Sequence, residues 1–106
     1  MKKTRVIIKR PDEKYGHVTN ISATLKNLQK TVGGPIETVP VILNAVIICN
    51  EEGKLRNLDP NIWYFHDRIV GTIIVIGTEG EDFANCPLSF DQWKLFVDKQ
   101  EELGPL

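Results

Sequence analysis

The chain has 106 residues, 42% of them hydrophobic and 25% charged, with a net charge of −1 at pH 7. This composition is close to that of soluble globular proteins and excludes disordered, collagen-like and coiled-coil chains. We expect residues 1–106 to form a single domain, since one core usually occupies about 100–150 residues. No apolar run has the roughly 18 residues of a membrane span or the roughly 7–15 of a secretory core. We therefore expect a cytoplasmic protein with no membrane contact.

The charges are unevenly distributed along the chain. Residues 1–32 carry +6, residues 33–78 carry −2 and residues 79–106 carry −5. Such a split indicates a partner, a self-association face or contact between the two ends within the fold, and the last is the commonest reason. The overall balance argues against a nucleic-acid partner, because such proteins usually carry a strong net positive charge.

Five runs rich in β-branched or aliphatic residues predict strands. In chain order they are Thr4–Lys9, His17–Thr19, Ile36–Val39, Ala45–Cys49 and Thr72–Ile76. A turn with Pro11 and Gly16 joins the first two, which predicts an amino-terminal hairpin. The fourth run is apolar at every position, so it predicts a central strand.

Two helices are predicted from their capping residues and apolar stripes. Ser22 is placed to cap a helix over Ala23–Thr31, which Gly33 ends in the left-handed conformation. Ser89 opens the last helix, and Gln92 three residues later completes a capping-box pattern.

The remaining segments predict turns and loops. Asn50–Lys54 predicts a tight turn, Leu55–Asp67 a loop with one helical turn near Asn61–Tyr64, and Thr78–Pro87 a polar loop. The resulting order is β-β-α-β-β-loop-β-α. We therefore predict an α+β fold, a mostly antiparallel sheet of about five strands with two helices packed on one face.

The residue types that carry chemistry form no recognisable catalytic or metal-binding pattern. His17 and His66 lack the spacing of metal ligands, and Cys49 ends an apolar strand where a thiol is usually buried and reduced. We expect no catalytic residue, no metal and no cofactor. One alternative stays open, a small hydrolase that uses Glu51, Glu52 or His66 on a phosphoester or glycosidic bond.

Ligand binding is the function that the loops favour. Trp63–Arg68 is the densest aromatic and cationic segment, suited to stacking on a base or anchoring a protein, unless its aromatic side chains plug the core. The candidate ligand-binding residues lie in this segment and in the preceding turn. They are Asn50, Glu51, Glu52, Lys54, Asn61, Trp63, Tyr64, His66 and Arg68.

From about Leu25 to Phe96 the sequence resembles a family of short phage, prophage and mobile-element proteins known as a domain of unknown function. The resemblance is carried by Leu28–Gly34, Ile36-Glu37, the Cys-Asn-Glu-Glu-Gly-Lys stretch that begins at Cys49, Pro60-Asn61, Ile69–Thr72, Val75–Gly77 and Gly80–Phe83. Trp63–Arg68 departs from it, so a site there would be particular to this member.

The resemblance implies an accessory protein in a bacterial cytoplasm, with no agreed activity and no catalytic residues. By analogy with other small phage domains, we expect a non-catalytic counter-defence protein, which we also expect to be a homo-oligomer. It would sequester a small anionic or nucleotide-like signal or inhibit a host protein. A structural or regulatory interaction module, docking through Asp98 and Glu101, is a further alternative.

Overall fold

The structure is a computed structural model that describes residues 2–106. Its strands are β1 (Thr4–Lys9), β2 (His17–Ile21), β3 (Ile36–Pro40), β4 (Ala45–Asn50), β5 (Pro60–Tyr64), β6 (Asp67–Val70), β7 (Ile73–Glu79) and β8 (Asp82–Ala84). Its helices are α1 (Leu25–Val32) and α2 (Phe90–Leu103). The α+β prediction is confirmed, with β5, β6 and β8 added to the strands that the sequence predicted.

The main sheet is antiparallel at every pairing. Its strand order is β2-β1-β7-β4-β3, and β8 pairs with the carboxyl end of β7. Strands β4 and β7 lie side by side near the centre, with Ile47 opposite Val75 and Ile48 opposite Ile74. All four side chains are fully buried, which confirms the prediction that Ala45–Cys49 forms a central strand.

The two helices lie on opposite faces of the sheet, so the prediction of helices on one face is wrong. On the first face, Trp93 of α2 packs in a buried cluster with Ile47 and Val75. On the second face, Leu28 of α1 packs with Ile48 and neighbouring strand residues. Since successive side chains alternate between faces, an all-apolar strand needs cover on both sides.

The segment Leu55–Asp67, predicted as a loop with a helical turn, instead contains β5 and leads into β6. These strands form a separate antiparallel pair in which Trp63 lies opposite Arg68. Between them, Phe65 and His66 have φ values of 48° and 72°, the positive values of a type I′ hairpin turn. Asn-Gly usually marks such a turn, and Phe-His carries no such signal, which is why the prediction was wrong.

Helix boundaries depend on the caps, and one of the two was misassigned. Thr24, not Ser22, caps α1, with its hydroxyl accepting from the backbone N–H of Asn27 at 3.2 Å. Gly33 ends α1 at φ 86°, as predicted. The capping box of Ser89 on α2 is confirmed. The predicted polar loop 78–87 contains the short strand β8, whose three residues pair with the end of β7.

Candidate functional site

A cleft of about 400 Å³ opens between the β3–β4 hairpin, strand β6 and the turn that follows β4. Its lining residues come from these three elements and from the end of β5. They are Glu37, Val39, Cys49, Asn50, Glu51, Lys54, Leu55, Tyr64, Asp67, Arg68, Ile69 and Val70. This volume lies within the range of small-molecule sites, roughly 300–1,000 Å³.

The floor of the cleft is apolar and includes the thiol of Cys49. Cys49 and Ile69 are both buried, and the carboxylate of Glu37 lies 3.8 Å from Cys49 Sγ. Burial, assisted by the negative charge of Glu37, raises the pKa of Cys49 to about 11. The thiol therefore stays protonated at neutral pH and is part of the apolar lining rather than a nucleophile. Cys49 is a buried free cysteine, as the sequence predicted.

The charged groups of the cleft are of two kinds, paired and unpaired. Lys54 Nζ lies 2.9 Å from both carboxylate oxygens of Asp67, and this hydrogen bond lowers the pKa of Asp67. Within residues 2–106, none of Glu37, Glu51 and Arg68 takes part in an ion pair. Two carboxylates and one guanidinium among the lining residues are thus without an ion pair.

Arg68 is held by an aromatic ring although its charge is unpaired. Its guanidinium carbon lies 4.4 Å from the centroid of the Trp63 ring, because the two residues are cross-strand partners on the β5–β6 hairpin. A cation over an indole is attracted to the ring face, so Trp63 restrains the guanidinium of Arg68 while its charge stays unpaired. Trp63 is not among the lining residues, so of this pair only Arg68 lines the cleft.

Five of the nine sequence-predicted site residues line the cleft: Asn50, Glu51, Lys54, Tyr64 and Arg68. Three of the five use their polar groups within the fold, and for Lys54 the partner is Asp67. Asn50 is buried, donates to the carbonyl of Val32 at 3.2 Å and accepts from the backbone N–H of Glu52 at 2.8 Å. Tyr64 donates its hydroxyl hydrogen to the carbonyl of Pro40 at 2.7 Å.

Asn61 lies outside the cleft and joins three parts of the fold. Its Nδ2 donates to the carbonyls of Lys9 at 2.9 Å and Gly71 at 2.8 Å. Its Oδ1 accepts from Lys9 Nζ at 2.8 Å. Lys9 is only 2% exposed, and burial lowers the pKa of its amine. The amide of Asn61 therefore supports a buried lysine rather than a ligand of the cleft.

His66 and Glu52 also lie outside the cleft. His66 is in the β5–β6 turn, where its Nδ1 lies 2.9 Å from the carbonyl oxygen of Gly104 beyond α2. Glu52 is exposed in the turn after β4, and its side chain is not among the lining groups. Since only Glu51 reaches the cleft, the three residues of the hydrolase alternative are not gathered around one space.

The sequence reasoning missed the strand residues of the cleft, above all Glu37 and Val39. Their side chains lie on the same face of β3 because the two residues are two positions apart, and Glu37 pairs with Cys49 across the hairpin. The sequence alone did not show this, because Glu37 is placed at the cleft only by the pairing of β3 with β4. Among residues 2–106, no three His, Cys, Asp or Glu side chains are grouped to hold a metal ion, and no helix is long and apolar enough to cross a membrane.

Residues 1–100 match the model of the family described as Domain of unknown function (DUF3846). The chain belongs to this family. Membership in DUF3846 confirms the expected resemblance to a domain of unknown function and extends it to the amino-terminal hairpin, β1 and β2. Comparison with curated proteins and with solved structures found no match. The description of DUF3846 names no activity.

Proposed function

We propose that the chain is a non-catalytic binding protein whose cleft holds one small, nucleotide-like ligand. The observation that carries this proposal is the unpaired guanidinium of Arg68, held by Trp63 at the side of a cleft of about 400 Å³. Arginine binds phosphate and carboxylate groups through two parallel N–H donors. The apolar floor at Val39 and Ile69 suits the body of an organic ligand.

The origin and cellular setting belong to the same proposal. The resemblance found in the sequence supports a phage or mobile-element accessory protein, acting in the bacterial cytoplasm, that sequesters a signal as a counter-defence. Sequestration requires tight binding without turnover, and the placement of Glu51, Glu52 and His66 at separate points favours binding over hydrolysis.

Native mass spectrometry of the purified chain, with its denatured spectrum beside it, is the direct test. Extra mass that is lost on denaturation identifies a bound molecule, and the same spectrum gives the number of subunits. A panel of nucleotides and metabolites is then titrated against the bare chain. We expect micromolar or tighter binding that is lost in Arg68→Ala. The control variant Glu52→Gln, which changes an exposed charged residue outside the cleft, should retain binding. Failure of the whole panel and of co-purification would refute small-ligand binding.

A second candidate, inhibition of a host protein, is favoured by the exposed apolar residues of two neighbouring turns. Ile42 and Leu43 in the β3–β4 turn are 51% and 61% exposed, and Phe65 in the β5–β6 turn is 57% exposed. The hydrogen bond from Tyr64 to Pro40 brings these turns together, and exposed apolar groups in one area are typical of interfaces. Binding to a host protein that Leu43→Ser weakens and Arg68→Ala leaves unchanged would favour this candidate over the cleft.

We also propose that the chain is a homo-oligomer that self-associates through the same apolar turns. A monomer in the native spectrum at micromolar concentration would contradict that part of the proposal. A dimer that Leu43→Ser dissociates would assign these turns to contact between two copies.

A further inference from the structure

The carboxylate of Glu37 is placed over the floor of the cleft, where it has no cationic partner within the described chain. Its backbone is fixed by the β3–β4 pairing, opposite Cys49. Its Oε1 accepts a weak hydrogen bond from the Cys49 thiol, with 3.8 Å between Oε1 and Sγ, and the two carboxylate oxygens together can accept further hydrogen bonds. A ligand that fills the cleft therefore meets an ionised acceptor close to its apolar floor.

An ionised carboxylate accepts hydrogen bonds and cannot donate them, so it selects a ligand edge with adjacent donors. Guanine has such an edge, since its N1–H and N2–H₂ groups are neighbours and match two carboxylate oxygens. Adenine and cytosine each place an amino group beside a ring-nitrogen acceptor, which a carboxylate repels. Uracil and thymine place one N–H between two carbonyl oxygens. Among the common bases, only guanine pairs with a carboxylate through two donors.

The charge balance of the cleft limits how many phosphate groups a ligand can carry. Lys54 is already bound to both oxygens of Asp67, which leaves Arg68 as the free cation beside the free carboxylates of Glu37 and Glu51. A triphosphate would place several negative charges near two carboxylates with one guanidinium to offset them. A single phosphate matches the bidentate capacity of one arginine.

We infer that the ligand of the cleft is a guanine mononucleotide with one phosphate, bound by Glu37 at the base and Arg68 at the phosphate. This inference rests on the proposed function and names its ligand class. The base lies on the floor formed by Val39 and Ile69, with its donor edge toward β3. The phosphate lies toward β6, where the guanidinium of Arg68 is held over the ring of Trp63.

Isothermal titration of the purified chain with GMP, IMP, AMP, GTP and guanosine tests the inference. GMP binds about tenfold or more tightly than AMP and than IMP, which lacks the N2 amino group, because one bidentate pair discriminates by about that factor. GTP binds more weakly than GMP. Guanosine has no phosphate group for Arg68 to bind. Arg68→Lys therefore weakens the binding of GMP and leaves the binding of guanosine unchanged.

Glu37→Gln is the decisive variant, and Glu52→Gln is its matched control. The amide that Glu37→Gln introduces replaces one acceptor by a donor, so the preference for GMP over AMP falls from about tenfold to about one. Glu52→Gln keeps the preference, since Glu52 lies outside the cleft. Circular dichroism and the Tm of each variant establish that the fold is intact.

Equal affinity for GMP and AMP, or an unchanged preference in Glu37→Gln, would overturn the inference. Binding of a different metabolite that Arg68→Ala abolishes would overturn it as well and leave the proposed function standing. If the wild-type chain binds none of the nucleotides and carries no co-purified molecule, the inference and the small-ligand function fail together.

Discussion

Replacing Asn61 by alanine tests whether this residue supports the fold rather than a ligand. The change removes two hydrogen bonds to the carbonyls of Lys9 and Gly71, at 2.9 and 2.8 Å, and one from Lys9 Nζ at 2.8 Å. Within residues 2–106, the other acceptor of the Lys9 amine is the carbonyl of Arg10, at 3.4 Å. Since Lys9 is 2% exposed, its buried amine is left with one long hydrogen bond.

The magnitude follows from the kinds of bond that are lost. Two neutral hydrogen bonds contribute about 1 kcal/mol each, and one to a charged group contributes about 1.5–3 kcal/mol. We therefore expect Asn61→Ala to lower the free energy of unfolding by about 3–5 kcal/mol. Adding Lys9→Met to Asn61→Ala recovers part of that loss, because the methionine fills similar space and removes the unsupported buried charge.

Urea unfolding followed by circular dichroism measures the change, with Asn20→Ala as control. Asn20 is exposed on the edge strand β2, so its replacement changes the free energy of unfolding by about 0.5 kcal/mol or less. A loss below about 1 kcal/mol in Asn61→Ala would refute the reasoning. So would a double variant with Lys9→Met that is no more stable than Asn61→Ala alone.

Three further predictions concern stability. Gln100→Met removes the side-chain acceptor 2.6 Å from the backbone N–H of Phe65, and urea unfolding should show a loss of about 1–3 kcal/mol. Ser89→Ala removes both the cap of α2 and its box with Gln92, and the same assay should show a loss of about 0.5–2 kcal/mol; no loss would contradict the cap. Cys49 keeps its proton to a pKa of about 11 when folded, against 9.0 ordinarily. Between pH 9 and pH 11 the thiol is therefore protonated in the folded state and ionised in the unfolded state. The free energy of unfolding of the wild type, relative to that of Cys49→Val, should fall by about 2–3 kcal/mol as the pH rises from about 9 past about 11. A difference that stays constant over that range would contradict the raised pKa.

The elements that the sequence predicted well are those whose signals are local. Strands β1, β3 and β4 begin where the apolar runs begin, and Ser89 caps α2 through its own neighbours. The β5–β6 hairpin was missed because its turn is stabilised from elsewhere in the chain. Phe65 donates its N–H to Gln100, and its ring meets those of Tyr64 and Phe96 edge to face. These contacts offset the positive φ values that the turn residues disfavour on their own.

The candidate site was predicted in part for the same physical reason. A polar side chain between strands can hydrogen-bond either to a ligand or to a backbone group that has no partner in the secondary structure. The sequence alone does not show which backbone groups lack such a partner. Asn50 and Asn61 satisfy carbonyls of distant segments. Glu37, in contrast, was passed over because it lies within a strand, and only the hairpin pairing with Cys49 places it at the cleft.

The basic amino-terminal segment and the acidic carboxy-terminal segment meet in the fold, but they do not form the cleft. The two ends do meet, since Arg5 donates to the carbonyls of Cys86 and Leu88, and Tyr15 donates to Asp98. Within residues 2–106, however, no ion pair joins the basic segment to the acidic one. The ends are therefore held by hydrogen bonds in which at least one partner is uncharged, and most of their charge stays on the surface. Because every lining residue of the cleft lies between positions 37 and 70, the split does not set the charge of the cleft. It contributes instead to the long-range electrostatic field around the molecule.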